Sequence, residues 1–200
     1  MTDGTPRTSV PMHSAAPGRA VRAIEAMARW AAYSGGMVLI GLAVMTVVSI
    51  LGRALGFGAI RGDYELASVG GALAVFAFLP WCQLRRGHVT VDIVAKRLPG
   101  RGAAMLGLLG DALVTLAAGL ILRQLWLGFG AKLPFLPQPL RDVLGFGPAP
   151  FFPETTYELA IPVWAPYGVA LMLSTLFFAA SLATVLRSMV WVRRGYEGTA

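Results

Sequence analysis

The chain has 200 residues, 56% of them hydrophobic and only 14% charged, with a formal net charge of +7. Soluble domains run at roughly 45–50% apolar and about 25% charged, and a soluble fold of this length cannot hide so much apolar surface, so the composition predicts a polytopic membrane protein. The basic residues do not form a patch interleaved with aromatics, which argues against nucleic acid as a partner, and the single cysteine, Cys82, excludes an intrachain disulfide and any CxxC redox or zinc arrangement.

Residues 1–24 are expected to be a disordered tail, since the first twenty are rich in Ser, Pro, Gly and Ala and show no periodicity. No cleavable signal peptide is expected, because the first apolar run starts late and is longer than an h-region. Four runs reach about 20 residues, the length that crosses a hydrocarbon core of ~30 Å. They cover residues 30–50 (WAAYSGGMVLIGLAVMTVVSI), 64–84 (YELASVGGALAVFAFLPWCQL), 103–127 and 162–186 (PVWAPYGVALMLSTLFFAASLATVL). With no water to satisfy the backbone, each span must be a helix. The expected fold is therefore an all-α membrane domain over residues 25–190, with a second tail at 191–200.

Span ends carry the matching chemistry. Asp63 and Glu65 sit at the start of the second span, where acids complement the positive end of the helix dipole. Arg53 follows the first span and is expected to pair with Asp63 or Glu65, fixing the hairpin. Pro162 suits the first turn of the fourth helix, and Pro166, one turn further in, is expected to bend it. Trp81, Trp126, Trp164, Tyr167 and Trp191 fall near the predicted interfaces. Small residues (Gly35, Gly36 and Gly41 in the first span; Ser68, Gly70, Gly71, Ala72 and Ala74 in the second) allow close helix approach.

Basic residues set the orientation. Twelve of the 17 Lys and Arg lie in the N-terminal segment, in the stretch after the second span and in the C-terminal tail, against five on the other side. The positive-inside rule then predicts both termini in the cytoplasm.

Two connections are more than linkers. The stretch LRRGHVTVDIVAKRLPGR, residues 84–101, permits a short strand by its alternation of Val89, Val91 and Ile93. It equally permits an amphipathic helix by its i,i+4 pairs Val89/Ile93 and Val94/Leu98, stopped by Pro99-Gly100. A lone strand would leave its backbone unpaired, so a short amphipathic cytoplasmic helix is expected between helices two and three, with Lys96, Arg97 and Arg101 toward anionic lipid headgroups. The connection over residues 128–161 combines six prolines with many phenylalanines, which precludes regular structure over most of it. Its apolar character suits a segment lying on a partner or on the outer membrane surface; a flap over the chain's own helices is the rival.

Two isolated polar residues, His88 and Asp111, admit simple structural roles. His88 lacks the converging ligands a metal needs and the second intramembrane His a haem needs, since His13 lies in the tail. Arg86, Gly87, His88 and Asp92 are expected to shape the turn into the amphipathic segment. Asp111 lies well inside the third span, where an acid is a functional candidate. It can hydrogen-bond another helix or a partner, sit near the headgroups, or line an ion pathway. No nucleotide-loop, HExxH, GxSxG or Ser-His-Asp set occurs, so no enzyme and no cofactor is expected.

These residues, taken together, resemble a known family. The "GR" closing the first helix, "GDYELASV" opening the second, "RRGHVTVDIVAKRLP" after it and "TTYELAIPVWAPYGVALMLSTL" entering the fourth are similar to the small membrane (DctQ-like) subunit of tripartite ATP-independent periplasmic (TRAP) transporters. The Arg-x-Gly-His-Val-x-Val-Asp segment is the most specific part, and Pro162 and Trp164 belong to the supporting Ile-Pro-x-Trp motif. The resemblance implies a scaffold subunit in the inner membrane, paired with a large transmembrane permease subunit that carries a sodium-coupled site. It also implies a periplasmic solute-binding protein that delivers an organic acid-type solute. Residues of about 132–153 are an insertion relative to that pattern. The alternative of another class is an independent four-helix exporter or redox carrier.

Overall fold

A computed structural model describes residues 19–85 and 100–194. The described residues form five helices: α1 (Arg19–Ala54), α2 (Asp63–Leu84), α3 (Gly100–Lys132), α4 (Gln138–Leu144) and α5 (Trp164–Arg194). Four of them, all but α4, are long and apolar enough to cross a membrane. The described residues contain no strand, only an isolated antiparallel bridge between Thr155 and Pro162. The amphipathic segment expected at 89–98, with Arg86, Gly87, His88 and Asp92, lies outside the described residues.

Helix runs further than hydropathy indicated. The 36 residues of α1 extend to about 54 Å, and the 33 of α3 to about 50 Å. The start of α1 overlaps the stretch expected to be disordered, because "RAVRAIEAMAR" combines strong helix formers with no Pro or Gly. Two proline expectations are corrected. Pro162 precedes α5 and is held in the bridge, while Pro166 falls in the first turn of that helix, where its missing N–H has no intrahelical partner to lose. The proline inside a helix is Pro80 of α2, which is buried and leaves the Phe76 carbonyl without its usual donor.

The helices pack in the order α1, α2, α5, α3, with α5 also reaching α1. The core is built from small residues: Ala28, Gly35, Ala74, Ala77, Ala118, Ala170 and Ala180, with Phe177 and Val185 as the larger members. That is the composition expected where helices associate by close backbone approach rather than by escape from water. Of the small residues singled out in the first span, Gly35 makes such an approach. A Cβ there would lie 2.9 Å from that of Ala77, whereas Gly36 and Gly41 face open space. At the end away from the α1–α2 turn, Arg29 and Arg85 flank the Trp81 ring at 5.5 and 4.5 Å, a cation–π arrangement that joins α1 to α2.

Candidate functional site

The α1–α2 turn and the long connection from α3 to α5 meet at one end of the bundle, where the ion pairs Arg53–Asp63 and Lys132–Glu154 lie. Ser49 Oγ and Arg53 Nη2 both donate to Asp63 Oδ2. Ser49 in turn accepts from Arg53 at 3.3 Å and from the Ile60 backbone at 3.3 Å. Arg53 is more than half exposed, with 57% of its side chain open against 20% for Asp63. The pair thus closes the hairpin at its rim, with buried Ser49 beneath it.

Glu65, the other acid available to Arg53, has a different role. It accepts from the backbone N–H groups of Glu158 at 2.7 Å and Leu159 at 3.2 Å. Glu158 answers by accepting from the Gly62 N–H at 2.5 Å. Gly62 is the N-cap of α2 at φ 74, and Leu159 occupies the space where a Cβ would sit, 2.4 Å from its Cγ. Only glycine meets both demands. The two acids belong to two copies of one tetrapeptide, Tyr64-Glu65-Leu66-Ala67 and Tyr157-Glu158-Leu159-Ala160, so each copy clamps backbone at or beside the other. Ala160 takes the left-handed conformation at φ 53, turning the chain back so that Thr156 and Val163 can bond Ile161 and Glu154. Trp164 then opens α5, its ring edge-on to Phe135 at 5.8 Å.

The Pro/Phe connection is irregular over most of its length, as its prolines require, with helix confined to its start and to α4, yet it is folded back on the bundle end. Its organiser is Arg141, fully buried in α4. Its guanidinium donates to the carbonyls of Gly130 and Leu133 at 2.7 Å, Gly147 at 2.9 Å and Pro148 at 3.1 Å. Gly130 lies in the last turn of α3, whose final carbonyls have no intrahelical donor and mark the negative end of the helix dipole. A cation from a later segment therefore caps α3. Phe146 seats over Gly130 and tilts against Trp126 at 5.1 Å, while the Trp126 indole donates to the Leu144 carbonyl at 3.2 Å. Lys132 pairs with Glu154 at 2.5 Å. On its outer side the same connection leaves Phe151, Phe152 and Tyr157 exposed.

Inside the bundle, Ser188 of α5 donates to Asp111 Oδ2 of α3. Gln83 of α2 donates to Thr184 at 3.0 Å, and Thr184 to the Ser181 carbonyl at 2.7 Å. The intramembrane acid thus serves a helix–helix contact. Among the described residues no group of three or more His, Cys, Asp or Glu is placed to hold a metal ion.

Arg53 and Asp63 meet at the turn where the sequence places them, and Asp111 lies in the third span against Ser188. Arg141 and Glu158 are not among the residues that the sequence alone singles out. The repeated YELA tetrapeptide was the available signal for the Glu65–Glu158 clamp; nothing local marked Arg141.

The family model of the tripartite ATP-independent periplasmic transporters' DctQ component matches residues 42–190, a segment that contains every site residue named above. The chain belongs to this DctQ family. It is a small membrane subunit of a TRAP transporter, in a family that works with a large permease and a periplasmic binding protein and is a transporter component, not an enzyme family. No curated protein and no solved structure matches the chain.

Proposed function

We propose that this DctQ-family chain is the non-catalytic scaffold of a sodium-coupled transporter that takes up an organic acid-type solute delivered by the periplasmic binding protein. The observation that carries the proposal is where the bundle's polar side chains are directed. Gln83, Asp111, Thr184 and Ser188 join α2 and α3 to α5 instead of facing a common path. A chain that moved solute or protons by itself would need convergent, unengaged polar groups near the middle of a span. The independent-exporter alternative rests on Asp111, and Ser188 already occupies that carboxylate.

In this proposal both termini and the stretch 85–101 are cytoplasmic, following the basic-residue imbalance. Arg86, Gly87, His88 and Asp92 belong to that cytoplasmic stretch, with anionic headgroups as its partner. The end bearing Arg53, Asp63, Glu65, Pro162 and Trp164 is then periplasmic, with Phe151, Phe152 and Tyr157 turned toward the large subunit or the binding protein. Replacing Phe151 and Phe152 by Ser tests that last clause: uptake falls if they form a contact, and unchanged uptake leaves the connection a cover for the chain's own helices.

The proposal as a whole is tested by purifying the tagged chain in a gentle detergent. A larger multi-span subunit should accompany it in roughly equal amount, with the solute recoverable from the associated binding protein. A chain that purifies alone and catalyses uptake alone contradicts the proposal.

A further inference from the structure

Between α3 and α5 runs an open groove of about 420 Å³, separate from the polar clamp and from the Asp111 contact. One wall is Gly119, Leu122, Arg123 and Trp126, spaced i, i+3, i+4 and i+7 on one face of α3. The other is Leu171, Thr175 and Phe178 of α5. The groove is apolar along its length apart from Arg123, the Thr175 hydroxyl and the indole of Trp126. Thr175 donates to the Leu171 carbonyl, and Trp126 to Leu144 of the α3–α5 connection, so both walls are fixed. The floor closes at Gly119, where a Cβ would lie 3.4 Å from the Phe178 ring.

Arg123 is exposed and makes no hydrogen bond or ion pair with any described residue. Its depth makes this costly. Centring the 33 residues of α3 on a core of about 30 Å puts Trp126 at the boundary and Arg123 about 4 Å inside it. A guanidinium so placed demands an anion or a route to the headgroups, and its stem is long enough to lift the charge to the phosphate level. Below it, the groove continues toward the centre of the membrane along Leu122, Gly119 and Phe178, and the hydroxyl of Thr175 is spent on the Leu171 carbonyl. A cation at the headgroup boundary above an apolar trough has the two-part chemistry of a phospholipid.

We infer that this groove is a specific phospholipid site, with the phosphate on Arg123 beside Trp126 and one acyl chain laid over Gly119 and Phe178. Guanidinium suits the role because its forked donors match phosphate oxygens. The trough lies between two helices in direct contact, which suits a single hydrocarbon chain better than a helix about 10–12 Å across. A carboxylate from a partner's helix is therefore the less favoured counter-charge.

Native mass spectrometry of the full chain, stripped of lipid in mild detergent, tests the assignment. The probes are phosphatidylglycerol and diacylglycerol with the same acyl chains. The wild-type chain should retain phosphatidylglycerol at least about tenfold better than diacylglycerol, the scale of one charge-assisted contact. Arg123→Lys should keep most of that preference and Arg123→Leu should abolish it. Gly119→Leu, which fills the trough and leaves the charge, should lower retention of both lipids. Equal retention of the two lipids by the wild-type chain overturns the assignment without reference to any variant. So does carbodiimide coupling of Arg123→Lys to a carboxylate of the co-purified large subunit.

Discussion

α1 and α5 are indistinguishable by hydropathy and opposite in use. The best window of each has a mean hydropathy of 2.2, yet 11% of the α1 window is buried against 39% of the α5 window. Every seventh residue shows why. Trp30, Met37, Val44 and Leu51 form a stripe of large apolar side chains on α1 that remains more than half exposed. At the same spacing on α5, Ser174, Ser181 and Ser188 are buried. Apolarity identifies what crosses the membrane, because lipid and protein interior are equally welcome to Leu and Val. Small and small-polar residues identify which helix sits at the centre, because they let backbones approach and can bond across the contact.

The sharpest way to break this comparison is to enlarge one residue on each helix. Ser181→Leu forces bulk into the contacts of α5 and should cost about 3 kcal/mol, read as a fall in unfolding temperature in detergent. Val44→Leu on the α1 stripe should stay within about 0.5 kcal/mol of wild type. Equal losses at the two positions would show that the isolated bundle does not distinguish the helices as described.

Second in size is Arg141→Met. It leaves the carbonyls of Gly130, Leu133, Gly147 and Pro148 without their shared donor, and should destabilise the α3–α5 connection by about 2 kcal/mol. Limited proteolysis within residues 133–153 should accelerate while the spans stay inserted. Unchanged cleavage would mean that Phe146 and Trp126 hold the connection without the arginine.

Ser188→Ala ranks third, at about 1 kcal/mol, since it removes a donor from Asp111 while leaving the small packing volume of α5 intact. If Ser188→Ala costs nothing, the serine stripe contributes by size alone. The smallest shift is expected from Asp63→Asn, because Arg53 is open to solvent and screening; its effect on unfolding temperature should fall below that of Ser188→Ala.

The same contrast explains what the sequence could reveal. The four spans were legible because burial in lipid selects composition over long stretches. The meeting of Arg53 with Asp63 was legible because a hairpin brings its two ends together whatever the rest of the fold does. The Glu65 clamp on Glu158 and Leu159 had only the repeated tetrapeptide to mark it, since it joins residues far apart in sequence through backbone N–H groups, which every residue type carries. Arg141 was hidden for the same reason: its partners are carbonyls, and a charge count sees only the cation. Pro166 was misplaced because the helix begins two residues later than the apolar run, a difference set by the Thr155–Pro162 bridge.

The scaffold assignment meets its most direct test in reconstitution. Liposomes containing this chain, the large permease subunit, or both are given the solute-loaded binding protein and a sodium gradient, and uptake of that solute is measured. Uptake only when both membrane subunits are present is the predicted result; full uptake by liposomes holding this chain as their sole membrane subunit would contradict it.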